Sequence, residues 1–421
     1  MNVLMMTNTY HPHVGGVARS VESCAQWLRS RGQRVLIGAP RFEGATKRET
    51  GVVRIPAIQH WNGSDFSVPL PITRALHRAV ERFAPDLVHS HHPFLLGDTA
   101  LRVAAEFDLP IVFTHHTLYE HFTHYVPLDS PRIRRFAIEL ATSYANLCDV
   151  VFAPSESVAD ILRGRGVRAR IEVIPTGIDL ARFAAGDGAA FRRAQKIPAD
   201  AIVVGHVGRL AAEKNLAFLG EALAQFAARV PRARVLVVGD GPEAPPLRAR
   251  FAEPGLRDRL HLVGTLQGPA LADAYRAMDV FAFASATETQ GLVLAEAMAA
   301  SVPVVAIDAP GAREVVRDRI NGRLLRSESI GDYLAALTWT AVGRDALAAA
   351  ARQTACDFSI DATGERALAH YRELVRVAHP RAVRDHRTWS KVRRRLRKEW
   401  TLATHRAHSV ARSWDAPKAA P

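Results

Sequence analysis

The chain has 421 residues, of which 48% are hydrophobic and 23% are charged, and this composition excludes a wholly disordered or fibrous protein. It contains 55 Lys and Arg against 42 Asp and Glu, and the resulting net charge of +13 favours a phosphate-bearing partner: nucleic acid, an anionic membrane or a phosphorylated substrate. No apolar run reaches the ~20 residues of a membrane span, and three widely separated cysteines form no disulfide or metal pattern, so we expect a cytoplasmic protein.

Short apolar runs alternate with helix-length amphipathic stretches along most of the sequence. Continuous apolar strands between helices are typical of a parallel sheet covered on both faces. The runs form two successive arrays, which predicts two doubly wound, Rossmann-like α/β domains. The predicted strands are 3–6, 35–37, 87–88, 111–113 and 150–152 in the first array and 201–208, 235–238, 261–263, 280–283 and 303–307 in the second.

The order of these patterns also predicts the domain boundaries. We expect an N-terminal domain at 1–180, a C-terminal domain at 181–360, a helix at 361–380 that closes the second array, and a basic tail at 381–421. In open parallel sheets, ligands bind beyond the carboxyl ends of the strands, so two such domains facing each other would form one cleft. Functional residues are therefore expected just after strands.

Two groups of polar residues in the second half follow strands in this way. Arg209 and Lys214 lie between a strand and the next helix, where an Arg fork and a Lys point charge suit a diphosphate. A surface Arg and Lys at a helix start is the alternative interpretation. Further along, Glu288 and Glu296 flank Gly291 at a predicted helix start, which can receive a phosphate. Glu296 lies among apolar helical residues, so we expect its carboxylate to have a partner.

These motifs occur together with VIPTGID at 173–179 and VGDGPE at 238–243, in the order found in the retaining glycosyltransferases of family 4. From about residue 1 to residue 378 the chain resembles that family, whose fold is GT-B, with two Rossmann-like domains facing a cleft. The resemblance implies that the N-terminal domain binds the acceptor and that the C-terminal domain binds a nucleotide-diphosphate sugar.

The same resemblance implies roles for individual residues. Arg209 and Lys214 would hold the donor diphosphate and stabilise it as it leaves. Glu288 would contact the donor sugar, and Glu296 would bind the ribose hydroxyls. No Asp-x-Asp motif is placed to hold a metal, so we expect no metal or other cofactor, and the nucleotide sugar is a substrate. The other predicted donor-binding residues lie in loops or at a helix start and are Gly15, Gly16, Gly208, Gly239, Gly291 and Leu292.

The first half contributes a dense group of histidines after two predicted strands. A zinc site is one interpretation, and scattered structural or pocket histidines are the other. The resemblance implies that His116 lies near the reacting sugar, where it orients the sugar or stabilises positive charge through its backbone carbonyl, while a donor phosphate oxygen acts as the base. The group comprises His89, His91, His92, His115, His116, His121 and His124.

The segment at 116–127, HTLYEHFTHYVP, is similar to the acceptor loop of the family branch that glucosylates diacylglycerol. Gln290 points the same way, because many other branches carry Phe there. The predicted acceptor-binding residues are Tyr119, Glu120 and Tyr125, with a packed loop as the alternative. We therefore expect hexose transfer from UDP-glucose to a membrane lipid, diacylglycerol or a glycolipid. Glycosyl or mannosyl transfer to a polysaccharide or a soluble acceptor stays open.

The tail at 381–421 has twelve Lys and Arg against three Asp and Glu, so it carries nine of the thirteen net positive charges. Three of the six tryptophans are interleaved with these charges, at Trp389, Trp400 and Trp414. Basic and Trp side chains together favour an anionic membrane surface, which predicts a peripheral protein on the inner face of the membrane. Nucleic-acid binding by this tail and a merely solvated tail are the alternatives.

Overall fold

The computed structural model describes residues 1–12, 15–45, 49–58, 68–69, 74–121 and 130–382. It divides into two compact units. The first consists of Met1–Pro175 and the residues from Thr363 onward, and the second consists of Thr176–Ala362. The basic tail therefore lies outside the described residues, apart from the end of the last helix.

The described residues contain fifteen strands and thirteen α-helices. The strands are β1 (Asn2–Met6), β2 (Arg34–Pro40), β3 (Val52–Ile55), β4 (Ala57–Ile58), β5 (Val68–Pro69), β6 (Leu87–Ser90), β7 (Ile111–Thr114), β8 (Val150–Ala153), β9 (Arg170–Val173), β10 (Ile202–Val207), β11 (Ala233–Val238), β12 (Leu260–Leu262), β13 (Val280–Phe283), β14 (Val304–Ile307) and β15 (Gly322–Leu325). The helices are α1 (Gly16–Ser30), α2 (Arg74–Phe83), α3 (Leu96–Phe107), α4 (Pro131–Ala145), α5 (Glu156–Gly164), α6 (Leu180–Ala184), α7 (Gly188–Ala194), α8 (Leu216–Arg229), α9 (Ala244–Ala249), α10 (Gly268–Arg276), α11 (Leu292–Ala299), α12 (Ile330–Cys356) and α13 (Ile360–Ala382).

The first unit is built on a seven-stranded parallel sheet in the order β3-β2-β1-β6-β7-β8-β9. Every residue of β6, β7 and β8 is buried, because helices cover both faces of the sheet. β6 and β7 are neighbours, with His89 paired to Val112 and Ser90 to Phe113. The loops that follow these two strands therefore leave the sheet side by side, and they carry the histidine group.

The second unit is built on a six-stranded parallel sheet in the order β12-β11-β10-β13-β14-β15. Side chains of β13 alternate between two hydrophobic clusters, Phe281 and Phe283 in one and Val280 and Ala282 in the other. This alternation shows that both faces of the sheet are covered by helices. The prediction of two doubly wound, Rossmann-like α/β units is confirmed. Because β10 and β13 are adjacent, the loops that follow them are also adjacent.

The last helix differs from the sequence-based expectation. The helix expected at 361–380 forms as α13, but from Thr363 onward it belongs to the first unit, not to the second array. Tyr371 is fully buried there and stacks on Phe152 of β8, with 5.9 Å between the ring centroids. The backbone of Gly364 lies against Trp27, so close that an added Cβ would stand 2.6 Å from ring carbons. These apolar contacts hold α13 on the first sheet.

None of the helices in the described part of the chain is both long enough and apolar enough to span a membrane.

Candidate active site

Two loops at the carboxyl edge of the second sheet pack backbone against backbone. The amide of Gly208 donates to the carbonyl of Val238 over 3.0 Å, and the amide of Leu210 donates to the carbonyl of Asp240 over 2.9 Å. Gly239 has φ +137°, and a Cβ on it would lie 1.8 Å from the Gly208 oxygen. Gly208 and Gly239, both predicted to bind the donor, are thus brought together, and Gly239 makes the close approach of the two loops possible.

The structure also brings together two of the predicted catalytic residues. Arg209 is exposed in the loop after β10, and Lys214 ends the short 3-10 turn Ala212–Lys214 that follows. The ammonium of Lys214 donates to the carboxylate of Glu288, in the loop after β13, and forms an ion pair with it. The two side chains are 22% and 19% exposed, so the pair lies at the surface of the unit, within reach of a ligand.

Side-chain hydroxyls fix the loop that carries Glu288. Ser285 and Thr287 both donate to the carbonyl of Glu213, over 3.1 and 3.2 Å. The loops after β10 and β13 are therefore connected by two hydrogen bonds besides the Lys214–Glu288 pair. This arrangement holds the ammonium and the carboxylate at fixed positions before any ligand arrives.

Gln290 has a role that the sequence did not reveal. Its side chain is buried, its amide oxygen accepts from the Thr176 N–H over 2.6 Å, and its amide nitrogen donates to the Thr176 carbonyl over 2.8 Å. The two hydrogen bonds satisfy both backbone groups of one residue. Gln290 therefore anchors the loop after β13 to the first residue of the second unit.

The start of α11 depends on a glycine. Gly291 has φ +69°, and a Cβ on it would lie 2.7 Å from the carbonyl oxygen of Gly311. The amide of Gly311 in turn donates to the carboxylate of Glu314 over 2.8 Å. Gly291 thus lets the chain turn sharply into α11, whose first residue is Leu292, and the predicted phosphate-facing helix start is present as a helix N-terminus.

The carboxylate of Glu296 has a hydrogen-bond partner, as expected for a glutamate among apolar residues. Glu296 is 5% exposed, and its carboxylate accepts a hydrogen bond of 2.7 Å from the hydroxyl of Tyr275, which is fully buried in α10. Tyr275 was not predicted, because it lies in a different helix and nothing in the sequence connects the two. The proposed contact of Glu296 with ribose hydroxyls stays a prediction.

Replacing Tyr275 by phenylalanine should lower the free energy of unfolding by about 1–3 kcal/mol, since it keeps the ring and removes a hydrogen bond to a buried carboxylate. Urea unfolding at pH 7 measures the change. The double variant with Glu296→Gln serves as the control and should lose less than the sum of the two single variants, because each single change removes the same bond. A full sum would show that the hydroxyl and the carboxylate do not interact.

His206 lies in β10, near the Lys214–Glu288 pair. It is 1% exposed, and its Nδ1 stands 3.1 Å from the carbonyl oxygen of Ala282, so Nδ1 carries the proton. Burial lowers the pKa of His206 to about 4, with the ammonium of Lys214 lowering it further, while the Ala282 carbonyl and Glu288 oppose the shift. Its Nε2 has no hydrogen-bond partner in the described part of the chain. No pattern in the sequence pointed to this residue.

The depressed pKa of His206 predicts a pH dependence of stability. The unfolded chain takes up a proton on this residue near pH 6.5, whereas the folded chain does so only near pH 4. The contribution of neutral His206 to the free energy of unfolding is therefore fully present above pH 6.5, and it is lost as the pH falls towards 4. Between pH 6.5 and pH 5, His206 should remove about 2 kcal/mol from the free energy of unfolding.

Urea unfolding of the wild type and of His206→Phe at pH 7.5 and at pH 5 measures this contribution. The variant should lose less stability on acidification than the wild type, because phenylalanine cannot be protonated. Equal losses in the two proteins would contradict the assignment.

In the first unit, Gly15 and Gly16 lie at the start of α1, after the loop that follows β1. Gly15 has an extended backbone with φ −170°, and a Cβ on Gly16 would meet nothing within 4 Å. The geometry of this unit therefore does not itself require glycine at either position, and the predicted approach to the diphosphate stays a prediction.

Five members of the histidine group lie at the ends of β6 and β7, namely His89, His91, His92, His115 and His116, and all of these but the half-buried His116 are buried. His121 is exposed, and His124 lies outside the described residues. Nδ1 of His91 lies 2.9 Å from Nε2 of His116. Burial lowers the pKa of His89 and of His92 to about 3 and that of His115 to about 4. These rings are therefore neutral at physiological pH. Among the residues the structure describes, no group of three or more His, Cys, Asp or Glu could hold a metal ion.

The predicted acceptor-binding residues differ in the partners of their polar groups. The hydroxyl of Tyr119 is buried with no hydrogen-bond partner among the described residues, and its ring lies edge-on to Phe94 at 5.2 Å. Burial raises the pKa of Tyr119. The carboxylate of Glu120 forms an ion pair with Arg165. Tyr125 lies outside the described residues, as does the whole segment at 122–129. Tyr119 is thus the acceptor candidate with an unused polar atom.

Two family models match most of the chain. "Glycosyltransferase Family 4" matches residues 14–182, and "Glycosyl transferases group 1" matches residues 187–353. The boundary between the two matches falls close to the start of the second unit at Thr176.

Similar proteins include enzymes with different donors and acceptors. An alpha-monoglucosyldiacylglycerol synthase of Streptococcus pneumoniae is 28% identical, over 78% of this chain and 76% of the relative. A GDP-mannose-dependent alpha-mannosyltransferase of Mycobacterium tuberculosis is 31% identical, over 77% of this chain and 84% of the relative. Among solved structures, Anabaena HepE in complex with UDP has a TM-score of 0.70 at 22% identity, over 89% of this chain and 100% of that protein. The similarity to the HepE structure shows a common fold.

Proposed function

This chain belongs to glycosyltransferase family 4 and is a glycosyltransferase with the GT-B fold, and from that membership we propose that it transfers a hexose, with retention, from a nucleotide-diphosphate sugar to a membrane lipid. The proposed donor is UDP-glucose, and the proposed acceptor is diacylglycerol or a glycolipid. The second unit would bind the donor, and the first unit would bind the acceptor.

The observation that carries the donor site is the Lys214–Glu288 ion pair at the carboxyl edge of the second sheet. An ammonium and a carboxylate held side by side match the two ends of a sugar diphosphate. The ammonium suits the phosphate oxygens, and the carboxylate accepts from sugar hydroxyls. Arg209, in the same loop as Lys214, supplies a second cation for the diphosphate.

The chemistry of this site follows from where charge develops. The bond between the sugar C1 and the phosphate oxygen breaks, and its electron pair stays on the diphosphate. Fixed cations stabilise that negative charge more in the transition state than in the ground state. The acceptor hydroxyl oxygen bonds to C1 on the same face, and its proton passes to a phosphate oxygen. Arg209 and Lys214 would thereby replace a metal ion, so transfer should continue in the presence of a chelator.

The acceptor assignment has two supports besides the fold. One is the pneumococcal relative, which is named for a glucosyl diacylglycerol. The other is the sequence at 116–127, whose described part includes Tyr119, with a buried hydroxyl and a ring that lies edge-on to the ring of His115. We further propose that the tail at 381–421 attracts the enzyme to anionic lipid, where each Lys or Arg contributes about 1 kcal/mol. The enzyme would then work as a peripheral protein on the inner face of the membrane.

A second candidate is mannosyl transfer from GDP-mannose. It is favoured by the mycobacterial relative, which is as similar to this chain as the lipid glucosyltransferase is. The candidate donor residues Arg209, Lys214 and Glu288 would serve either sugar, since a diphosphate and sugar hydroxyls are common to the two donors.

A panel of UDP- and GDP-sugars against diacylglycerol, glycolipid and soluble acceptors, scored by product mass, tests both candidates. UDP-glucose with diacylglycerol should give a monoglucosyl lipid with an α linkage, at an unchanged rate in EDTA. A mannosyl product formed only from GDP-mannose would support the second candidate instead. Product from soluble acceptors alone would exclude a lipid acceptor.

Deletion of 383–421 tests the membrane proposal. The full chain should float with liposomes that contain anionic lipid, and the shortened chain should remain in the fraction without liposomes. Gel shifts of both proteins with RNA are the comparison. Equal flotation of the two proteins would contradict the proposal, as would binding of the tail to RNA but not to liposomes.

A further inference from the structure

Two histidines from neighbouring loops make direct contact at the edge of the first sheet. Nδ1 of His91, just after β6, lies 2.9 Å from Nε2 of His116, just after β7. The two rings are inclined by only 24°, with 5.2 Å between their centroids. One of the two nitrogens must donate and the other must accept, because two lone pairs at this distance repel.

His91 is held rigidly on the side away from His116. Its ring packs on His89, with 4.0 Å between the centroids, and its amide donates to the carbonyl of Met6 over 3.0 Å. His89 is itself fixed through both ring nitrogens. Nε2 lies 2.7 Å from the hydroxyl oxygen of Thr114, and Nδ1 lies 2.6 Å from the hydroxyl oxygen of Tyr371 in α13. The position of His91 is therefore determined by its neighbours.

The direction of the hydrogen bond follows from the buried side of His91. Burial lowers the pKa of both His91 and His116 well below the ordinary value, so each ring carries a single proton. Nε2 of His91 is buried and has no hydrogen-bond partner within the described residues. A buried N–H without a partner is rarer than an unused acceptor. The proton of His91 therefore belongs on Nδ1, where it is donated to Nε2 of His116.

We propose that His91 is a positioning residue that holds His116 as the tautomer with its proton on Nδ1. In this state Nε2 of His116 accepts from His91 and is not available as a base, and the single proton of the His116 ring is on Nδ1. The catalytic consequence rests on the proposed function, in which His116 lies beside the reacting sugar. The tautomer itself does not, since it can be observed without turnover.

Two variants of equal shape separate positioning from packing. In His91→Asn, the amide nitrogen takes the place of Nδ1 and can still donate to His116. In His91→Asp, a carboxylate oxygen takes that place and can only accept. The control is His92→Leu, which removes another buried histidine of the cluster, one that accepts from the Asn8 amide over 3.1 Å.

The ring ¹⁵N shifts of His116, assigned by comparison with His116→Gln, report which nitrogen is protonated. The wild type, His91→Asn and His92→Leu should have the proton on Nδ1, and His91→Asp should have it on Nε2. A proton on Nε2 in the wild type would overturn the proposal, whether or not any variant folds.

Steady-state kinetics supply the second readout. His91→Asp should lower kcat by about 10- to 100-fold with little change in the KM for the donor, and His91→Asn should recover most of the loss. Equal rates for the Asn and Asp variants, with both folded, would show that His91 does not position His116.

Discussion

Replacing Lys214 by alanine should lower kcat/KM by about 1000-fold. The change removes the ammonium that would stabilise the leaving diphosphate, and it leaves the carboxylate of Glu288 without its ion-pair partner. Initial rates with the best donor of the panel measure the effect, and circular dichroism establishes that the variant is folded. Glu288→Ala should lower kcat/KM by a similar factor.

Two further variants make this experiment specific. Arg257→Ala removes one positive charge before β12, at the opposite edge of the same sheet, and should leave kcat/KM unchanged. The double variant Lys214→Ala with Glu288→Gln should be no slower than Lys214→Ala alone if the pair acts as a unit. A folded Lys214→Ala enzyme with wild-type rates would remove Lys214 from the catalytic site.

Replacing Gly239 by alanine should destabilise the second unit by about 3 kcal/mol or more. The residue has φ +137°, and its new methyl group would stand 1.8 Å from the carbonyl oxygen of Gly208, which is backbone and cannot move aside. Urea unfolding measures the loss. Gly264→Ala is the matched control: it also has a positive φ, +72°, but nothing lies within 4 Å of its Cβ position.

Gly264→Ala should lower the free energy of unfolding by only about 1 kcal/mol, because alanine is strained in this backbone conformation even where it meets no other atom. The difference between the two variants then measures the close approach of the loops after β10 and β11. If both variants lose the same amount, the contact between Gly239 and Gly208 does not limit stability, and Gly239 would matter only for binding.

The interior strands could be predicted from the sequence, and most edge strands could not. β13 is a run of four buried apolar residues that stands out between two helices. By contrast, the edge strands β3, β9 and β15 contain Arg54, Arg170 and Arg323, each of which forms an ion pair with a carboxylate. Short runs that mix apolar and charged residues have no distinct periodicity, so the sequence did not reveal them.

The site could be predicted only in part, for a similar reason. Lys214 and Glu288 could be selected as candidates because each follows a strand, and adjacent parallel strands bring their carboxyl ends together. The partners Tyr275 and Thr176 were missed, since they come from segments whose approach depends on the packed structure. The unit to which α13 belongs was missed because Gly364 and Tyr371 meet Trp27 and Phe152 only after folding.

The ion pair between Lys214 and Glu288 has a consequence for turnover under the proposed function. Before the donor binds, each charge is balanced by the other. A nucleotide sugar compensates both, since its phosphate takes the ammonium and its hydroxyls take the carboxylate. The nucleoside diphosphate left after transfer no longer carries the hexose whose hydroxyls met the carboxylate, so the carboxylate competes with the diphosphate for the ammonium. Re-forming the ion pair would lower the affinity for the nucleoside diphosphate and would thereby favour its release before the next donor binds.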